Sequence, residues 1–403
     1  MEEIVFGLII SIIFRKVFDL NKVVHLGYMH NVFDTRIFQK ECKSLVNKTD
    51  MKIYFLTSTR NSSMTNGEIE GVNIYTIKLL KKRVWRLIVY LHDVKKKCRE
   101  IDANIYHIHE PVLLPLISFF KKHGKKVIYD KHEDTYDDVK NQFAKRFGNK
   151  FGILIANLVV KYELHCISIC DGYIYATPTN ALPPNNKCMN YALIPNYPIL
   201  DESNKMNIDK VPNKFSLCYA GGVSDLWSIL EIVDILNKIN DKDINFVVAG
   251  RSNDEYISAI NRIDNNACFE YRGLVSFNEV SSLYLSGSIG MAVLKRRLGK
   301  LNECGTLANT KIFEYMQCGL PVIFTDFTIW KNIQLEYDFG IPVDPDNKEE
   351  IKNAILFLKN NPAIAKEKGE AGRRAIVEKY NWHNSEITFV NLYDKIMRGC
   401  RNE

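Results

Sequence analysis

Thirteen short runs, rich in Val, Ile and Tyr and bounded by polar or glycine turns, alternate with longer helix-like stretches along this 403-residue chain. Seven come first: "KVVHLGYM", "MKIYFLTS", "VNIYTIKL", "ANIYHIHE", "KKVIYDKH", "GYIYATP" and "YALIPNY". The apolar pattern then lapses at "NYPILDESNKMNIDKVPNK" (196–214) and restarts as "FSLCYAGG", "INFVVAG", "ACFEYRG", "GSIGMAVL", "GLPVIFTD" and "GIPVD". Runs of this length and composition read as strands. The segments between are long enough for helices: Asp34 to Asn47 has Asp34 as its N-cap and Ile37, Phe38, Glu41 and Leu45 at helical spacing.

Strands that alternate with helices build a parallel sheet covered on both faces. The expectation is therefore α/β: two Rossmann-like, doubly wound parallel-sheet domains facing across a cleft, with ligands where strand C-termini meet it. The expected boundaries are 21–198 for the first domain, 199–213 for a linker and 214–384 for the second. Residues 385–403 are expected to form a terminal helix packing back on the first domain.

With 46% hydrophobic and 25% charged residues the chain can bury a large core without staples. Its ten cysteines show no Cys-x-x-Cys pair or repeated spacing, so reduced buried thiols are expected. The net charge of +7 is local, concentrated in "LLKKRVWRLIVYLHDVKKKCR" (79–99) and "FFKKHGKKVIYDK" (119–131). Such interleaving suits an anionic membrane surface, or solvated helix faces beside a core. No nucleic-acid partner is expected, because no helix-turn-helix, RNP or zinc pattern accompanies the charge. The apolar run "IVFGLIISIIF" (4–14) has 11 residues, short of the roughly 18 needed to span a bilayer. Glu2 and Glu3 precede it, where a secretory signal carries positive charge. Residues 1–20 are read as a shallow interfacial helix, or one packed on the body of the protein.

"YAGGVSDLWSILEIVDIL" (219–236) reads as strand, glycine turn and helix, which presents backbone N–H groups and a positive dipole end to phosphate. Gly221 and Gly222 are the candidates; the pattern is not GxGxxG, and a plain tight turn is the bland alternative. "VVAGRSNDEY" repeats the theme with Arg251 at a strand end. In "NTKIFEYMQCGLPVIFTD" (309–326), Gly319 ends a helix and Lys311 lies one turn before Glu314, on the same face. A carboxylate can accept both hydroxyls of a ribose diol, and an ammonium suits a diphosphate. An arbitrary helix glutamate would instead face solvent. In the first half, histidines fall at strand ends: His30, His107, His109 and His132. His107 and His109 share one strand face, yet no third ligand is identifiable, so no metal is expected. His132, Glu133 and Asp134, followed by Asp137 and Asp138, place carboxylates beside a histidine in a loop after a strand.

Together these segments resemble the retaining, family-4 branch of the GT-B glycosyltransferases, from about Lys22 to Tyr393. The resemblance rests on the ordered set "HNVFDTRIFQKECKSL", "VIYDKHEDTYDD", "YAGG", "VVAG", "NTKIFEYMQCGLPVIFTDFTIW" and "KYNW". It implies sugar transfer from a nucleotide donor, UDP-linked first among the expectations, held by the second domain. The acceptor, held by the first, is implied to be a lipid-linked saccharide or growing surface polysaccharide at the cytoplasmic membrane face. By position, Glu314 is similar to the ribose-binding glutamate and Lys311 to the lysine facing the diphosphate. Gly221 and Gly222 resemble the phosphate-approaching turn, with Arg251, Lys295 and Thr310 as further donor-side residues. His132 resembles the histidine near the donor sugar; Asp34 and Arg36, with His30, His109, Glu133 and Asp134, border the acceptor. No cofactor is implied, since side-chain cations can neutralise the diphosphate.

Two positions depart from the family pattern. Thr306 stands where many members carry a second glutamate, and Trp227-Ser228 replaces an Arg-Gly pair. The cation missing at Trp227 is expected from Arg251, Lys295, Arg296 or Arg297. A catalytically silent relative acting as a partner subunit, or a sugar-nucleotide epimerase, are the competing functions.

Overall fold

The structure, a computed structural model, describes residues 21–60, 66–81, 83–132, 135–181, 188, 190–200, 214–296 and 304–399. The expected membrane-surface segment 1–20, most of the expected linker, Glu133, Asp134 and Arg297 lie outside the described residues. The chain divides into two compact units, 1–195 with 385–403, and 196–384.

The first unit is built on strands β1 (Lys22–Leu26), β2 (Lys52–Thr59), β3 (Gly67–Ile69), β4 (Val72–Lys78), β5 (Ile105–Ile108), β6 (Lys126–Lys131), β7 (Gly172–Tyr175) and β8 (Tyr191–Leu193). They form one sheet in the order β3-β4-β2-β1-β5-β6-β7-β8. Every pair is parallel except β3 with β4. β1, β5 and β6 are almost wholly buried, as strands covered on both faces must be. β3 is the strand the sequence does not announce: it is three residues long and largely exposed. Its hairpin turns at Glu70 (φ 49°) and Gly71 (φ 79°), a two-residue loop with both φ positive. Glu-Gly is not among the dipeptides that signal such a turn.

The segment after β1 begins helically at Thr35 and continues to Lys48, the first eight residues with π-type bonding. Asp34 caps it as expected, accepting from the N–H groups of Arg36 and Ile37, each at 2.9 Å. The second basic run divides: Lys121 and Lys122 end a helix, with Lys122 and His123 exposed, whereas Val127, Ile128 and Tyr129 are wholly buried in β6.

The second unit has β9 (Phe215–Ala220), β10 (Ile244–Ala249), β11 (Phe269–Tyr271), β12 (Ile289–Ala292), β13 (Val322–Thr325) and β14 (Gly340–Val343). All pair in parallel, in the order β11-β10-β9-β12-β13-β14. This is a doubly wound sheet, and its strand order reverses between β9 and β12. In the first unit the same reversal lies between β1 and β5. In each unit, therefore, the loops leaving two named strands flank the place where this architecture binds ligands. The nine described cysteines are all free, and eight are buried.

Candidate functional site

In the second unit the chain leaves β9 at Gly221, with φ +146° and its N–H bonded to Ala249 O at 3.0 Å. A Cβ built there would lie 2.4 Å from Lys311 Cε and 2.6 Å from its Nζ. Only glycine leaves room for the ammonium against the turn. Gly222 follows with open space at its Cβ position, and its carbonyl accepts from the Tyr219 hydroxyl at 2.7 Å.

Lys311 reaches this turn because its helix, Lys311–Gln317, lies tight on β12. Gly290 permits that approach: a Cβ there would be 2.3 Å from the Tyr315 ring, whose hydroxyl donates to Met291 O at 3.2 Å. Thr310 precedes the helix, and Asn309 Oδ1 accepts the Lys311 N–H at 3.1 Å. Nζ stands 4.4 Å from the Trp227 ring centroid and 5.5 Å from that of Tyr219. It forms no ion pair among the described residues. Burial lowers the lysine's pKa, and only the field of Glu314 opposes the shift. Glu314 is half-buried, one turn on, and its Oε2 accepts from the Tyr284 hydroxyl at 3.4 Å.

Trp227 thus does not replace the charge of the expected arginine; it holds the charge of Lys311 by a cation–π contact. Its neighbour Ser228, where the resembling family has glycine, adopts φ +51° and ψ 26°. The Ser228 hydroxyl is also buried without a hydrogen-bond partner. Ser228→Gly is accordingly expected to raise stability by about 1 kcal/mol, relieving left-handed strain and an unpaired hydroxyl against a small entropy cost. Urea titration of the two proteins checks this; an unchanged or lower midpoint would count against the strain.

Two expected stand-in cations need correction. Lys295 Nζ is held by Asp225 at 2.7 Å and Glu231 at 2.5 Å, and Arg296 is ion-paired with Asp326. Their charges are already neutralised locally. Arg251 is exposed at the end of β10, and its carbonyl accepts the Val223 N–H at 2.9 Å.

In the first unit, the loop after β1 and the loop after β5 meet at His30. Its Nδ1 is 3.0 Å from Asp34 and its Nε2 2.8 Å from Glu110, while the His132 ring lies 6.1 Å away. Glu110 also accepts the Tyr28 N–H at 2.6 Å. Met29, between them, has φ +70°, a strained conformation for a bulky residue; its N–H is held by Ser58 Oγ at 2.9 Å. Burial opposes protonation of His30, but the bonds to Asp34 and Glu110 outweigh it and raise its pKa to about 10. Asp34, despite burial, is held down to about 2 by His30 and the Ile37 N–H.

The folded protein therefore favours the imidazolium. Its contribution is complete below the unfolded pKa of about 6.5 and disappears as pH climbs through the folded value. With solvent exposure discounted, roughly 2 kcal/mol should be lost between about pH 7 and 10. His30→Gln should lack that part of the loss in urea titrations across the range; parallel profiles would refute it.

Arg36 and His109, both expected at the acceptor, are interior residues: only 5% and 2% of each is exposed. Arg36 donates to both oxygens of Asp130 at 2.8 and 2.9 Å and to Ile194 O at 3.1 Å, and its Nε lies 3.1 Å from Glu41. Asp130 is held well below the usual carboxylate range, the effect of burial being outweighed by Arg36. Glu41 moves the opposite way, raised by burial and then by the charge of Asp130. A fully buried guanidinium cannot greet an incoming sugar, so Arg36 acts as a strut. Asp130 in turn sits 3.6 Å from His132 Nδ1 and orients the histidine that remains 15% exposed.

Residues 215–361 match the family model described as glycosyl transferases group 1. A protein of Methanocaldococcus jannaschii named as an uncharacterized glycosyltransferase is 21% identical over 342 residues, 81% of this chain and 80% of its own. Among solved structures, sucrose-phosphate synthase from Thermosynechococcus elongatus superposes with a TM-score of 0.71 at 13% identity. The match covers 94% of this chain and 99% of that one. HepE of Anabaena, in complex with UDP and glucose, gives 0.66 at 10% identity over 93% of this chain and 99% of its own. The fold is thus the GT-B arrangement of two Rossmann-like parallel-sheet domains.

Proposed function

We propose, on the premise that residues 215–361 are a glycosyl transferases group 1 module, that this chain transfers a sugar from a nucleotide donor to a saccharide acceptor. The observation that carries the reading is Lys311. A partly desolvated ammonium, fixed by two aromatic faces against a glycine turn and lacking a counter-ion among the described residues, is prepared for an anion. Glu314 on the same helix face supplies the acceptor pair that suits a ribose diol. UDP is the first nucleotide to test, since HepE is found with it.

The reaction is written as retaining. The bond between the anomeric carbon and the phosphate oxygen breaks, its electron pair passes to the diphosphate, and the acceptor oxygen bonds from the same face. The acceptor proton goes to the departing phosphate. Charge therefore accumulates on the diphosphate, where Lys311 stabilises it. Incubating the purified chain with a panel of nucleotide sugars, with and without acceptors, tests this. Release of nucleoside diphosphate that Glu314→Ala abolishes supports a transferase. Interconversion of the donor alone would indicate an epimerase, and neither reaction a silent relative.

The acceptor is proposed to be lipid-linked and the protein peripheral on an anionic membrane. The support is a surface the sequence reading did not single out. Helices Thr135–Phe147 and Asn149–Ile169 expose Phe147, Phe151, Leu154, Leu158 and Tyr162, spaced as one stripe and each at least 41% exposed. Between residues 139 and 162 there are five cations (Lys140, Lys145, Arg146, Lys150 and Lys161) and no acidic residue. By length and composition Asn149–Ile169 could cross a bilayer. Its buried Gly152, Ala156, Glu163 and Cys166 instead anchor one side to protein, so the stripe is read as lying on a lipid surface. The full chain should sediment with vesicles containing phosphatidylglycerol and not with pure phosphatidylcholine. A Leu154→Glu, Leu158→Glu pair should weaken that binding about tenfold or more. Equal partitioning of wild type and variant would contradict it.

A further inference from the structure

Beneath the His30 loop, the first unit contains a set of buried groups that the proposed reaction does not use. His25 on β1, His107 on β5, His109 just beyond it and Glu41 from the helical segment after β1 converge with no exposed side-chain surface. Glu41 Oε2 lies 3.7 Å from His25 Nδ1, 3.9 Å from His107 Nδ1 and 3.8 Å from His109 Nε2. His25 Nδ1 and His109 Nε2 are 3.0 Å apart, and all four donor atoms fall within 4.8 Å of one another.

Hydrogen bonding leaves this cluster incomplete. Both Glu41 oxygens and His107 Nε2 are buried without a hydrogen-bond partner, although buried polar groups are ordinarily paired. Charge is incomplete as well. Arg36 gives its two bonds to Asp130 and also lies 3.1 Å from Glu41 Oε1, so two buried carboxylates share one guanidinium. A cation at the centre of three imidazoles and a carboxylate would balance the second carboxylate and give Glu41 Oε2 the partner it lacks.

We propose that His25 Nδ1, His107 Nδ1, His109 Nε2 and Glu41 Oε2 form a four-ligand site for a divalent transition-metal ion, with zinc the ion their donor set fits best. Zinc takes nitrogen and carboxylate ligands at about 2.0–2.2 Å, and tetrahedral geometry then spaces the ligands roughly 3.3 Å apart. Onto such an ion the three edges from Glu41, 3.7 to 3.9 Å, would close by roughly half an ångström, and the 3.0 Å edge between His25 and His109 would open by about 0.3 Å. The groups behind the ligands suit the site too. His109 Nδ1 faces Asp130 at 3.4 Å and His25 Nε2 faces the Tyr393 hydroxyl at 3.3 Å, so these two imidazoles can donate their other N–H while they ligate. Tyr393 Oη also lies 2.7 Å from His107 Nδ1, and it would yield that bond to the metal.

Such an ion would be structural, with no open position for chemistry. It would tie β1, β5 and the 35–48 segment together under the loop that carries His30. Because the donors are wholly enclosed, the metal enters as the unit folds. The sequence hint was His107-x-His109; the other two ligands come from 82 residues upstream (His25) and from a helix, a distance no local spacing reveals.

The test is metal analysis of the full chain expressed with zinc, and of chain refolded from denaturant with Zn²⁺ or Co²⁺, after gel filtration. The expected result is about one zinc per folded chain and, for cobalt, the visible absorption of a tetrahedral nitrogen–oxygen site. Glu41→Gln and His25→Gln should each carry at least tenfold less metal. Folded wild-type protein with under a tenth of an equivalent after either preparation overturns the proposal, whether or not the variants fold. Variants that fold and retain wild-type metal content overturn it equally.

Discussion

Lys311→Ala is expected to lower kcat/KM for sugar transfer by roughly a hundred- to a thousandfold, the range found when one group stabilising a developing anion is removed. The size follows from where the ammonium stands. Trp227, Tyr219 and Gly221 fix it, so it needs little reorganisation when the diphosphate departs. Two other cations expected there, Lys295 and Arg296, are bound to carboxylates. Trp227→Ala should cost less, through loss of positioning, because the charge itself survives. Single-turnover rates at saturating donor would separate the two effects. A Lys311→Ala enzyme within about threefold of wild type would remove the lysine from the chemistry.

Arg36→Ala is expected to destabilise the protein by about 3–5 kcal/mol, since it leaves Asp130 and Glu41 as buried carboxylates with no guanidinium between them. Arg36→Lys should recover little, because a single ammonium cannot reproduce two parallel bonds to Asp130 and a third to Ile194 O. Urea titration followed by circular dichroism measures the difference. A loss below about 1 kcal/mol would mean that the pair is replaceable by water or by protonation of the carboxylates.

The fold was legible because it repeats a strong local signal: thirteen of the fourteen strands lie in runs that alternation and composition identify. β3 escaped because a three-residue exposed strand has neither burial nor a recognised turn dipeptide. Part of the second unit's local geometry followed from topology: the glycine turn ends β9 and Lys311 begins a helix, with Glu314 one turn on.

The first-unit site was harder to read, because charge next to a strand end does not reveal burial. Arg36 and His109 look the same as His30 in sequence, yet they lie under the loop and His30 on it. Asp130, the last buried residue of β6, organises the group and was passed over as part of an apolar strand. In the basic run at 119–131 the apolar residues Phe120, Val127, Ile128 and Tyr129 are core, which the charges beside them do not reveal. The better membrane candidate, 147–162, was overlooked because its apolar stripe reads as an ordinary buried helix until its exposure is known.

We propose that the second unit binds the donor's nucleoside diphosphate through Lys311 and Glu314. Calorimetric titration of UDP and the other nucleoside diphosphates into wild type, Lys311→Ala and Glu314→Ala measures this. Wild type is expected to bind at least one nucleotide saturably, and each variant to bind it about tenfold or more weakly with thermal stability unchanged. Binding of equal strength in all three proteins, or binding of none by wild type, would contradict it.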